Sequence, residues 1–156
     1  MLNKRKAQMT EWVNHYFERL FGNERPKPDI KWTKSTHILG ASCQQYNYLK
    51  FSEPFIKANL DNERCLEVLV IHEVCHLAVP KHNADFKRLC RQFGNDVPSG
   101  TGFEFPGYHA PAANYYARCS KCGQEYTRMR APSPSHVRCC IRCDTVLEYT
   151  KTGSIK

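Results

Sequence analysis

The sequence predicts an α+β protein in which helices pack on a small sheet, followed by a small cysteine-rich module. Three observations carry this. Helix-type and strand-type apolar patterns both occur between residues 8 and 94, and the strand-type ones are three short neighbouring runs. Five of the nine cysteines crowd between residues 119 and 143, beyond a stretch rich in Pro and Gly. A length of 156 residues, 41% apolar and 24% charged, suits one ordinary domain plus an appendage and excludes a disordered chain.

The elements follow in chain order. Residues 8–22 place Met9, Trp12, Val13, Tyr16, Phe17, Leu20 and Phe21 at helical spacing, so an amphipathic helix is expected there, starting at or just before Thr10 and ending at Gly22. NERPKP reads as a loop. DIKWTKS, HILGASC and YNYLKFS then read as short strands with polar breaks between them. Ser52-Glu53-Pro54 has the form of a helix start, which gives a short helix over residues 53–59. Asp61 or Asn62 can cap the next helix, Leu66, Leu69, Val70, Val74 and Leu77 make it apolar enough to be buried, and Pro80 stops it. NADFKRLCRQFG puts Phe86, Leu89, Cys90 and Phe93 on one face of a further helix ending at Gly94. Residues 95–114 read as a linker, so the expected divisions are 1–114, 115–150 and a tail over 151–156. Cys43, Cys65, Cys75 and Cys90 are scattered among apolar residues and are expected to be buried thiols. No apolar run approaches the roughly 18 residues that span a bilayer, and the basic start lacks the apolar core of a signal peptide. The expected location is the cytoplasm, with nucleoid association, and no membrane partner is expected.

Chemistry concentrates in VLVIHEVCHLAVPKHNADF, residues 68–86. Residues four apart share a helix face, so His72 and His76 can turn an imidazole nitrogen toward one metal ion, with Glu73 beside them to handle a water proton. This composition gives about 0.02 chance occurrences of such an H-E-x-x-H pattern. A catalytic zinc takes three protein ligands and keeps one position open. His82 is the best third ligand, because Pro80 ends the helix and lets the chain turn back; Asp85 and His109 are the fallbacks.

HEVCHLAVPKHNADF resembles the motif of the SprT-like (Spartan-related) zinc metalloproteases, in which a third His and then an aromatic residue follow the motif helix; here these are His82 and Phe86. The resemblance covers residues 8–149 and extends to a zinc ribbon after the catalytic core. It implies a zincin-like core, zinc held by His72, His76 and His82, and Glu73 as general base. Two positions depart from the pattern. Asn83 stands where the family often has Gly, and Val79 stands where metzincins, which share the His spacing, have a turn-making Gly.

The cysteine cluster is a second site by its own spacing. CSKC at 119–122 and CIRC at 140–143 are two C-x2-C knuckles, and four thiolates close a tetrahedral structural zinc site. Cys119, Cys122, Cys140 and Cys143 are the expected ligands. Cys140 is preferred to Cys139 because it repeats the first knuckle's spacing. Net charge is +8 overall, +4 over residues 1–44, zero over 45–118 and +4 over 119–156, which points to an anionic partner at both ends. Between the knuckles, Tyr126, Arg128, Arg130 and Arg138 have the basic–aromatic mixture that suits DNA contact.

The expected function is thus a zinc endopeptidase with one catalytic and one structural Zn2+, acting on protein or peptide, and through the resemblance on protein bound or cross-linked to DNA. Two other readings are compatible with the same residues: a nucleic-acid-binding zinc protein whose zincin core is unused, and a zinc hydrolase of a non-peptide substrate. Tyr108, His109, Tyr115 and Tyr116 are candidates to stabilise an oxyanion only through their position after the motif helices.

Overall fold

A computed structural model describes residues 1–36, 38–95, 114–128, 130–133, 137–140 and 143–152. The linker expected over 95–114, with Tyr108 and His109, lies almost wholly outside these residues. The chain forms two compact units, Met1–Asp96 and Val97–Lys156. In order they contain α1 (Leu2–Phe21), β1 (Asp29–Thr33), β2 (Gly40–Cys43), β3 (Tyr48–Ser52), α2 (Glu53–Ala58), α3 (Glu63–His76) and α4 (Ala84–Gln92), then β4 (Tyr115–Arg118), β5 (Glu125–Arg128) and β6 (Thr150–Lys151). The architecture is α+β, helices with small sheets, as the sequence predicts.

In the first unit the sheet order is β1-β3-β2, with β1 parallel and β2 antiparallel to β3. Side chains alternate across the sheet, so Leu49 and Phe51, both fully buried, share one face with Ile30, Trp32, Gly40 and Ser42. That face meets the helices. α3 buries Cys65, Leu66, Val68 to Ile71, Val74 and Cys75, a pattern apolar nearly all round, which suits a helix enclosed by neighbours. α1, α4 and β2 all pack on it. α1 contributes Met9, Val13, Tyr16 and Phe17. The Tyr16 hydroxyl donates to Glu67 on α3 at 2.7 Å.

Several boundaries differ from the expected ones for local reasons. α1 begins at Leu2, not near Thr10. LNKRKAQ lacks an apolar stripe, but its cations are paired, Arg5 with Glu63 at 2.6 Å and Lys6 with Glu53. The third strand starts at Tyr48 because Asn47 has φ 45° and closes a turn, its amide donating to Pro26 O at 2.9 Å. Tyr46 therefore sits exposed in that turn. Among the four scattered cysteines, Cys65, Cys75 and Cys90 are buried, but Cys43 is half-exposed, because it ends the edge strand on the face away from the helices.

The second unit is built on the strand order β5-β4-β6. Lys151 pairs with Tyr115 in that sheet, so the strand reaches into the stretch expected to be tail. Among the described residues its buried cluster is Ala117, Cys119, Tyr126, Cys140 and Leu147. No helix among the described residues is long and apolar enough to cross a membrane.

Candidate metal centre

α3 places His72 and His76 one turn apart on one face. The helix ends at His76, and the chain returns through residues 77–82 before Asn83 caps α4, its side chain accepting from Phe86 N–H at 3.0 Å. Asn83, in extended backbone, is thus fixed by its cap as the residue after His82. The return brings His82 Nε2 to 2.8 Å from His76 Nε2 and 3.2 Å from His72 Nε2, while His72 and His76 are 3.1 Å apart. Val79 joins this return through its carbonyl. That oxygen can only accept, so His76 Nδ1 carries the proton at 3.1 Å and Nε2 keeps its lone pair. Phe86, fully buried, floors the cluster: it stacks on His76 at 4.2 Å and meets His72 and His82 edge-on at 5.1 and 5.0 Å.

The electrostatics favour neutral ligands. Burial, followed by the two neighbouring imidazoles, pushes His72 down to about 3, and burial lowers His76. Glu73 is 5% exposed. Burial raises its carboxyl to about 8, and no described group donates a hydrogen bond to it. A divalent cation nearby would restore the carboxylate. Nitrogens about 2.0–2.1 Å from a tetrahedral zinc stand about 3.4 Å apart. The observed spacing is close to that, so the three converging nitrogens fit zinc.

The fallback ligand Asp85 is not part of the cluster. Asp85 is exposed and paired with Arg88 at 2.6 Å. Tyr115 and Tyr116 lie on β4 of the second unit, where the Tyr116 hydroxyl donates to Glu125 at 2.7 Å. Two residues near the cluster escaped the sequence reading. Gln44, just after β2, donates through its amide to His76 O at 3.1 Å and Leu77 O at 3.0 Å, satisfying carbonyls at the end of α3. Gly40, the first residue of β2, lies against Glu73. A lone glycine in a strand pattern is a known sign of close backbone approach, and that signal was present in HILGASC.

In the second unit the sulfurs of Cys119, Cys122, Cys140 and Cys143 lie within 4.8 Å of one another. Cys119 and Cys143 are 3.3 Å apart, and Cys122 and Cys140 3.5 Å. Sulfurs about 2.3 Å from a tetrahedral zinc stand about 3.8 Å apart, so this set also fits the metal. Cys139 instead forms a β-bridge with Val146. The backbone N–H of Cys122 is the main cause holding the Cys119 thiol down to about 6. The expectation that Tyr126 stacks on a nucleobase is corrected. Its ring is fully buried and its hydroxyl donates to Cys140 Sγ at 3.1 Å, so it is part of the module's core. Of the three arginines, Arg130 is exposed, and Arg128 and Arg138 are partly buried.

A helix that turns two imidazoles toward a third and carries a buried glutamate next to the first of them in sequence, on an α+β core, is the arrangement of the metal-dependent hydrolases. The family model for the YgjP-like metallopeptidase domain matches residues 2–99, and the chain belongs to that family, within the SprT-like group. No curated protein and no solved structure matches the chain.

Proposed function

We propose that the protein is a zinc-dependent endopeptidase in which His72, His76 and His82 hold the catalytic metal and Glu73 is the general base. The observation that carries this reading is the convergence of three Nε2 atoms within 3.2 Å, on the helix that also bears Glu73. A bound zinc supplies Lewis acidity: it polarises a carbonyl and lowers the pKa of a water toward about 7. The chain's own residues do the rest. His76, held by the Val79 carbonyl, keeps its ring nitrogen aimed and unprotonated. Glu73 accepts the proton of the attacking water on its carboxylate and returns it to the leaving amine. Phe86 shields the inner side of the cluster from water. Cys119, Cys122, Cys140 and Cys143 hold a second, structural zinc that fixes the C-terminal module, and residues 1–114 and 115–150 are the two functional divisions.

The substrate in this reading is protein bound or cross-linked to DNA, in the cytoplasm or on the nucleoid. Support comes from the +4 charge at each end of a chain whose middle is neutral. Arg128, Arg130 and Arg138 are the contacts proposed on the second unit.

The test is cleavage of a DNA-bound protein, with and without DNA, by wild type and Glu73→Gln. Gln matches Glu in shape but cannot take the proton, so activity should fall by about 10² to 10⁴ with fold, zinc and DNA affinity retained. Undiminished turnover in Glu73→Gln would remove Glu73 from the mechanism. Cleavage indifferent to DNA would remove the DNA-linked substrate and leave the endopeptidase.

A further inference from the structure

Gly40 opens β2 on the sheet face that meets α3. A Cβ placed on it would stand 2.6 Å from Oε1, 2.8 Å from Cγ and 2.9 Å from Cδ of Glu73. Its φ lies outside the left-handed region, so the backbone there suits any residue. What glycine supplies at this position is the missing side chain. The carboxyl it touches has no hydrogen-bond donor among the described residues, so walls rather than bonds set its orientation.

We propose that Gly40 is a positioning residue for Glu73: its bare Cα is the wall on α3's sheet side that sets where the carboxylate stands. The proposal deepens the endopeptidase reading and rests on it for its catalytic consequence. Which side would yield to an added methyl follows from how each is held. β2 is paired with β3 along its whole length from Gly40 to Cys43, and Gln44 ties its end to the last carbonyls of α3. The Glu73 side chain has three rotatable bonds and no tie among the described residues. A methyl at residue 40 therefore leaves the strand in place and displaces the carboxylate.

The experiment is Gly40→Ala in the full-length, zinc-loaded chain, read by crystallography and by kinetics. Expected are a Glu73 carboxylate displaced by about 1 Å or more, with the three imidazoles and the zinc content unchanged. With it should come a kcat about 10²-fold lower at a KM within about twofold, since such a misplacement has that effect on rate. In a Glu73→Gln background Gly40→Ala should add nothing, because the residue it acts through is already gone. A shifted strand with Glu73 in place, a chain that does not fold or loses its zinc, or an additive effect in Glu73→Gln would overturn the proposal. If wild type cleaves no peptide bond, the endopeptidase reading fails, while the crystallographic displacement still decides whether Gly40 positions Glu73.

Discussion

His76 uses both ring nitrogens, one on a backbone carbonyl and one on the cluster, whereas His82 is exposed and meets the other two imidazoles and Phe86 with no backbone bond to its ring among the described residues. Their substitution should therefore differ. His82→Ala removes one of the three converging nitrogens without opening the core, so the first unit should keep its fold. Its zinc affinity should fall by more than the 10- to 100-fold typical of losing a partner behind a ligand. Competition with a chromophoric chelator measures this, and unchanged affinity would exclude His82 from the ligand set. Asn83 gives a second, independent prediction. Its side chain caps α4, so Asn83→Ala should lower stability by about 1 kcal/mol, whereas Asn83→Gly should lower it by only a few tenths. Denaturant unfolding of the two variants checks the order. His72, His76 and His82 were visible in the sequence because a four-residue helical step and a proline break are local. Gly40 and Gln44 were not assigned, since each meets α3 more than thirty residues along the chain and no periodicity records such a meeting.

At the scale of elements, the helices and strands were legible wherever apolar residues repeat, as in α3 and α4. They were not where charge decides. The first two turns of α1 are held by ion pairs to α2 and α3, and pairs between distant segments leave no pattern in LNKRKAQ. Tyr126 failed in the opposite sense: an aromatic among arginines reads the same whether it faces solvent or, as here, fills a small core and bonds a cysteine. The α1 pairs have a pH signature. The hydrogen bond from Lys6 is the main cause holding the Glu53 carboxyl below its usual value of 4.5, and Arg5 does the same for Glu63. A carboxyl lowered in the folded state stabilises the fold above the unfolded value, and that stabilisation disappears as pH falls through the folded value. Wild type should therefore melt higher than Glu53→Gln at neutral pH. The difference should close as the pH drops below about 4.5, where the protonated Glu resembles Gln. A difference in melting temperature that stays constant across that range would show that the pair does not act through charge.

At the scale of the whole molecule, two ligand sets sit in two compact units that differ in what holds them together. The first unit has a core of its own, including Met9, Val13, Phe17, Leu49, Phe55, Leu66 and Ile71, all fully buried and none a ligand. Of the five described residues in the second unit's buried cluster, Cys119 and Cys140 belong to the candidate ligand set, and Tyr126 is bonded to one of them. Ordering a residue costs about 1–2 kcal/mol of backbone entropy. Among the described residues the apolar cluster is small for that cost, and zinc on the four thiolates is expected to supply the difference. The metal-replete chain should then contain two zinc ions, falling to one in Cys122→Ser. That variant should lose the protease resistance of the second unit and keep the helical circular dichroism of the first. Chelation should separate the same two events. The module's protease resistance should go with its metal, while removal of metal from His72, His76 and His82 should leave the first unit folded, because its apolar core does not include them. One zinc per chain in the wild type would exclude one of the two sites, and a single cooperative loss of both units on chelation would show that the first also depends on metal for its fold.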